Sequence, residues 1–72
     1  MEHEWVAKVA SLWLQEIQDC LIMQREYEVG LLICRTFRLW EKACNNYGVN
    51  SARALIWGRT YKAANELKNM VI

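Results

Sequence analysis

No proline interrupts this 72-residue chain, and its only glycines are Gly30, Gly48 and Gly58. A fold built from strands needs turn-forming residues at short intervals, which this chain lacks. Its apolar residues fall instead in helical register. Val6, Ala10, Trp13, Ile17 and Cys20 recur at steps of 4, 3, 4 and 3, which lines one face of a helix. Ile33, Phe37, Trp40, Cys44 and Tyr47 repeat the same steps. The expected fold is all-α, a single domain over residues 1–72, with helices over about 3–23, 26–46 and 50–70.

The junctions decide how these helices are arranged. Asn45-Asn46-Tyr47-Gly48 is a good stop, because glycine just past a helix takes the left-handed conformation without penalty. The third helix starts at Asn50 or Ser51, and Asn50 is a competent N-cap. The first junction is weaker, since Gln24-Arg25-Glu26-Tyr27-Glu28 contains no turn former. Gly30 either breaks the helix or lies inside it at about 1 kcal/mol. A break gives a helical hairpin plus a third helix, hence a three-helix bundle, and this is the favoured architecture. Continuity gives one rod of about 66 Å over residues 3–46, which only a second chain could cover.

Apolar residues make up 54% of the chain and four of them are Trp (Trp5, Trp13, Trp40 and Trp57). A domain this small buries only about 60% of its unfolded surface, so part of that apolar content is expected at an interface, first of all in a homodimer. Trp13, Phe37 and Trp40 lie on the stripes and are expected in the core. Trp5 and Trp57 are the interface candidates. Leu55, Ile56 and Trp57 are consecutive, which makes the third helix apolar around much of its girth. Gly58 follows at once and marks a close approach.

Charge is unevenly placed. Residues 1–34 carry Lys8 and Arg25 against six carboxylates, a balance of −4. Residues 35–72 carry seven basic residues against Glu41 and Glu66, a balance of +5. Such halves can pair head to tail in a dimer, or the basic half can face nucleic acid. The three cysteines, Cys20, Cys34 and Cys44, form no C-x-x-C pair, and His3 is the only histidine. All three cysteines fall at apolar helical positions and are expected to pack as small hydrophobes, not to hold a metal. An odd count suits a reducing, intracellular compartment. The N-terminus lacks a basic leader, and the longest uncharged apolar run, Val29 to Cys34, is far shorter than a membrane span. No phosphate loop or catalytic constellation is present, so the chain is expected not to be an enzyme and to take no cofactor or small-molecule substrate.

Residues 43–57 carry the most specific pattern. Ala43 or Cys44 supplies a small residue at a helix crossing, Gly48 a turn, and Val49 an apolar residue after it. Ala54 and Trp57 supply two apolar positions on the next helix. This segment, about a fifth of the chain, resembles a helix-turn-helix of the phage-repressor type. The resemblance implies a recognition helix from Asn50 onward, with Asn50, Ser51, Arg53 and Arg59 toward double-stranded DNA and Arg35, Arg38, Lys42 and Lys62 on phosphates. Leu55 and Ile56 depart from the pattern, since they would occupy groove-facing positions that are normally polar. An ordinary corner between two helices meets the same pattern.

The chain is therefore expected to be a small helical regulator or adaptor that binds a larger protein and dimerises. Its working surface is expected on the third helix, at Leu55, Ile56 and Trp57 with Arg53 and Arg59. The alternatives are a dimeric helix-turn-helix DNA-binding protein and a self-assembling structural subunit.

Overall fold

The computed structural model describes the backbone of residues 2–71 and the side chains of residues 4–70. His3 lies outside the described side chains. The domain is all-α, with α1 at Glu2–Ile22, α2 at Glu26–Tyr47 and α3 at Ala52–Val71. All three helix pairs are in contact. Cross-helix partners give the directions. Trp13 meets Thr36 and Cys20 meets Glu28, so α1 and α2 are antiparallel. Phe37 meets Tyr61 and Trp40 lies against Gly58, so α2 and α3 are antiparallel as well. The result is an up-down-up bundle of 34 × 20 × 17 Å.

The α1–α2 junction is a hairpin, and Gly30 sits within α2. The reversal is made by Gln24, in the left-handed region at φ 60°. Gln24 N–H donates to Leu21 O (3.1 Å) and Arg25 N–H to Cys20 O (2.9 Å). These are the two bonds of a Schellman ending, here closed by a residue with a Cβ. Glu26 and Glu28 then occupy the first turn of α2, where the helix dipole favours them.

The α2–α3 junction is a tight corner. Gly48 has φ 96° and ψ 153°, an extended positive-φ conformation open essentially to glycine alone. The expected positive φ is present, but ψ differs from a left-handed helix. Ser51, not Asn50, is the N-cap of α3. Its hydroxyl donates to Gly48 O (2.7 Å) and accepts from Ala54 N–H (3.2 Å). Asn50 is exposed in the turn, one residue before the cap.

The core has two clusters. One holds Val6, Ala10, Ala43, Ala54 and Trp57; the other holds Ile17, Cys20, Val29, Ile33 and Ala64. The α1 stripe is as the spacing predicts, with Val6, Ala10, Ile17 and Cys20 buried and Trp13 half-buried. The α2 stripe keeps Ile33 and Trp40 but differs from expectation at its other positions. Val29, Ile33, Thr36, Trp40 and Ala43 face inward, while Phe37 and Tyr47 are exposed. Thr36 can take an inner position because its hydroxyl donates to Leu32 O (2.7 Å) and accepts from Trp13 Nε1 (2.7 Å). A buried hydroxyl with both roles filled carries little desolvation penalty.

Three further expectations need correction. Trp57 is buried at 8% exposure, with its ring edge-on to Trp13 at 6.2 Å, so it is core and not interface. Cys34 is exposed, whereas Cys20 is buried and Cys44 half-buried. Gly58 admits the Trp40 indole, not a second backbone: a Cβ there would stand 3.0 Å from Trp40 Nε1.

Candidate protein-interaction faces

Three consecutive residues on a helix point in three directions about 100° apart. Leu55 is therefore exposed, Ile56 half-buried on the flank and Trp57 inside. The expected surface of Leu55, Ile56, Trp57, Arg53 and Arg59 is not one surface. Arg53 and Arg59 lie about 120° apart around α3. Arg53 stacks over the Tyr47 ring (4.6 Å) and its Nη1 donates to Tyr47 Oη (3.0 Å). There it lines a shallow cleft of about 260 Å³ with Leu39, Lys42, Ala43, Asn46, Tyr47 and Trp57.

The residues assigned to DNA are divided in the same way. Arg35, Arg38 and Lys42 form an exposed strip on α2. Arg59 and Lys62 lie on the outer face of α3. Ser51 is engaged as the cap, and Asn50 is exposed in the corner. Ala43, Ala54 and Trp57 are interior, as the helix-turn-helix pattern has them, but Val49 is 69% exposed. The α2–α3 contact also runs far beyond the corner, through Trp40–Gly58 and Phe37–Tyr61 to Ala64 beside Val29 and Ile33.

Two faces stand out in place of the expected surface. On the α2–α3 seam, Phe37, Trp40 and Tyr61 form an aromatic cluster with ring centroids 5.3–6.1 Å apart. The rings touch one another and leave no cage between them. Phe37 is exposed and Trp40 and Tyr61 are half-buried, with exposed Leu55, Arg59 and Lys62 on the adjoining side of α3.

The second face joins α1 and α2 on the side away from most of α3, with Lys42 at the end that borders the cleft shared with Arg53 and Trp57. Trp13 and Cys20 point at α2. A quarter turn from them, α1 presents Trp5, Leu12, Glu16 and Asp19, all exposed, with Trp5 at 67% and Leu12 at 66%. A quarter turn from the α2 residues that meet α1, α2 presents Leu31, Arg35, Arg38 and Lys42, also exposed. Glu16, Arg35, Arg38 and Lys42 form no ion pair among the described residues, where the pair in evidence is Arg25–Glu28 at 3.2 Å. Of the two tryptophans that the sequence marks for an interface, Trp5 is exposed and lies on this face, while Trp57 is buried.

Burial pushes the Cys20 thiol above its ordinary value; the Glu28 and Glu16 carboxylates act in the same direction and Arg25 opposes them. Its Sγ donates to Glu28 Oε2 at 3.8 Å. That is the opposite of what a nucleophilic thiolate needs. Among the described residues no three His, Cys, Asp or Glu side chains gather into a metal-binding group, and no helix is long and apolar enough to cross a membrane. No protein-family model matches the chain, and no curated protein or solved structure is detectably similar to it.

Proposed function

We propose that this chain is a non-enzymatic helical module that regulates or recruits a larger protein by binding it, and that it works as a homodimer. The observation that carries this reading is the aromatic seam of Phe37, Trp40 and Tyr61, flanked by Leu55, Arg59 and Lys62. Aromatic rings, an aliphatic neighbour and arginine are the side chains that dominate binding hot spots. The docked partner would cover Phe37 and Leu55 and meet the two cations at the rim. Three free cysteines support a reducing, intracellular setting.

The test is quantitative capture from source-cell lysate by the wild type and by a Phe37→Asp, Leu55→Asp variant. Leu55 is exposed and Phe37 is partly packed on Trp40 and Tyr61, so circular dichroism first verifies that the variant keeps its helicity. A partner retained by the wild type and released by the variant is the expected result. Equal retention by both removes the seam as the binding surface.

A dimeric DNA-binding protein is the second reading. It is favoured by the interior placement of Ala43, Ala54 and Trp57 and by the cations Arg35, Arg38, Lys42, Arg59 and Lys62, which form no ion pair among the described residues. The exposure of Val49 and the division of the cations between two faces weigh against it. Duplex binding would fall steeply with salt, because phosphate contacts release counterions. Absence of any duplex binding at low salt eliminates this reading.

A further inference from the structure

The α1–α2 face pairs an acidic, aromatic stripe with a basic one, and among the described residues neither Glu16 nor the α2 cations form an ion pair. On α1 the stripe is Trp5, Leu12, Glu16 and Asp19, bordered by exposed Lys8 between Trp5 and Leu12; on α2 it is Leu31, Arg35, Arg38 and Lys42. We infer that the occupant of this face is a second copy of the chain. The two copies meet face to face about a two-fold axis parallel to the helices, with α1 of each lying antiparallel against α2 of the other. This rests on the self-association proposed above and names its surface.

Geometry and charge select this arrangement over the other two-fold. An axis parallel to the helices keeps every residue at its own height. Within one chain Trp13 is level with Thr36 and Cys20 with Glu28. Glu16 is therefore level with the turn of α2 that holds Arg35, and Trp5 with the turn that holds Lys42. Across the axis, Glu16 of one copy meets Arg35 of its partner, and the indole of Trp5 meets a cation, which favours an aromatic face. Leu12 lies at an intermediate height and buries apolar area between these contacts, while Leu31 lies just beyond Glu16, toward Asp19. The alternative two-fold, perpendicular to the helices, would set α1 against α1 and α2 against α2. It would reverse the heights along α2, so that Arg35 of each copy lies against Arg38 of the other, and like charges across an interface are costly.

The size is adequate. A face set by the molecule's 34 × 20 Å dimensions offers roughly 600 Å² per copy, near the lower bound of specific interfaces. A dimer of this size, held partly by charge, is expected to be salt-sensitive.

The test uses two charge reversals, Glu16→Lys and Arg35→Glu, measured by sedimentation equilibrium in low salt. Each places like charges opposite one another twice in its own homodimer, so each should raise the dissociation constant by about tenfold or more. Mixing the two variants should restore a dimer, because both contacts in the heterodimer are then between opposite charges. Circular dichroism on each exposed-site variant verifies the fold, and a variant that had unfolded would not be rescued by mixing. Leu12→Ser provides a second, uncharged probe and should also weaken the dimer. A wild type that stays monomeric overturns self-association and this face together. A wild-type dimer indifferent to both reversals, or variants that stay apart when mixed, overturns this face alone.

Discussion

Trp13 and Thr36 are joined by a 2.7 Å bond from the indole N–H to the threonine hydroxyl, at the level where the two core clusters meet. The same indole packs edge-on against Trp57. One side chain of α1 is thus fixed to both other helices, by a polar contact on one side and an aromatic contact on the other.

Thr36→Val keeps the volume but removes the acceptor from Trp13. The expected loss is about 1–3 kcal/mol, the range for a buried donor left without a partner. Thr36→Ser retains the hydroxyl and should lose less. Urea denaturation of the three proteins checks the order; a valine variant as stable as the wild type would show that the bond contributes nothing.

Gln24 holds a left-handed conformation at φ 60° that glycine adopts freely. Gln24→Gly relieves about 1 kcal/mol of backbone strain and gives some of it back through the unfolded chain. A net gain of a few tenths to 1 kcal/mol is expected, read as a rise in thermal midpoint.

Gly30 and Gly58 both lie within helices but differ in surroundings. A Cβ on Gly30 meets nothing within 4 Å, so Gly30→Ala should gain about 0.5–1 kcal/mol from helix propensity. A Cβ on Gly58 meets Trp40 Nε1 at 3.0 Å and Cε2 at 3.1 Å. That ring is held by Phe37 and Tyr61, so Gly58→Ala should forfeit the gain and fall below the wild type. Paired chemical denaturation measures both; equal gains would mean the ring moves aside without cost.

The cysteines should differ in reactivity. Cys34 is exposed and should alkylate first near neutral pH, while Cys20 should react only on the timescale of opening. Folding raises the Cys20 value, so its protonated form is favoured in the native state. The associated stability is intact below the ordinary thiol range and declines as pH climbs through and above it. Mass spectrometry of timed labelling gives the order. Unfolding titrations of the wild type and Cys20→Ala at rising pH isolate the linkage, and parallel slopes would remove it.

Much of the architecture was legible because helices announce themselves by spacing, and the α1 stripe is a direct reading of that kind. On α2, Ile33 and Trp40 are direct readings too, but Thr36 and Ala43 take the places expected of Phe37 and Cys44, because the latter are more apolar and hydrophobicity ranks them first. Threonine becomes an inner residue only once Trp13 stands opposite, a relation 23 positions away that no local pattern contains. The hairpin is where the helix spacing puts it, between residues 23 and 26, but the residue that makes the turn was illegible for a related reason: a left-handed residue with a side chain, Gln24, leaves no compositional mark. The surface suffered most. Leu55, Ile56 and Trp57 look like a patch when written in a line, but helical pitch sends them to three environments. Trp5 is exposed, as its place beside the α1 stripe and not on it implies.

The α2–α3 corner has a meaning for how this chain tolerates change in length. Val49 and Asn50 extend into solvent, and the reversal is secured on either side of them by Gly48 and by the Ser51 cap. Extra residues between Val49 and Asn50 would forfeit the short Gly48–Ser51 bonds but displace no packed side chain, and closing a longer loop grows only slowly in cost. This is the point at which a tag, a reporter or a grafted segment enters with the least disturbance to either proposed face.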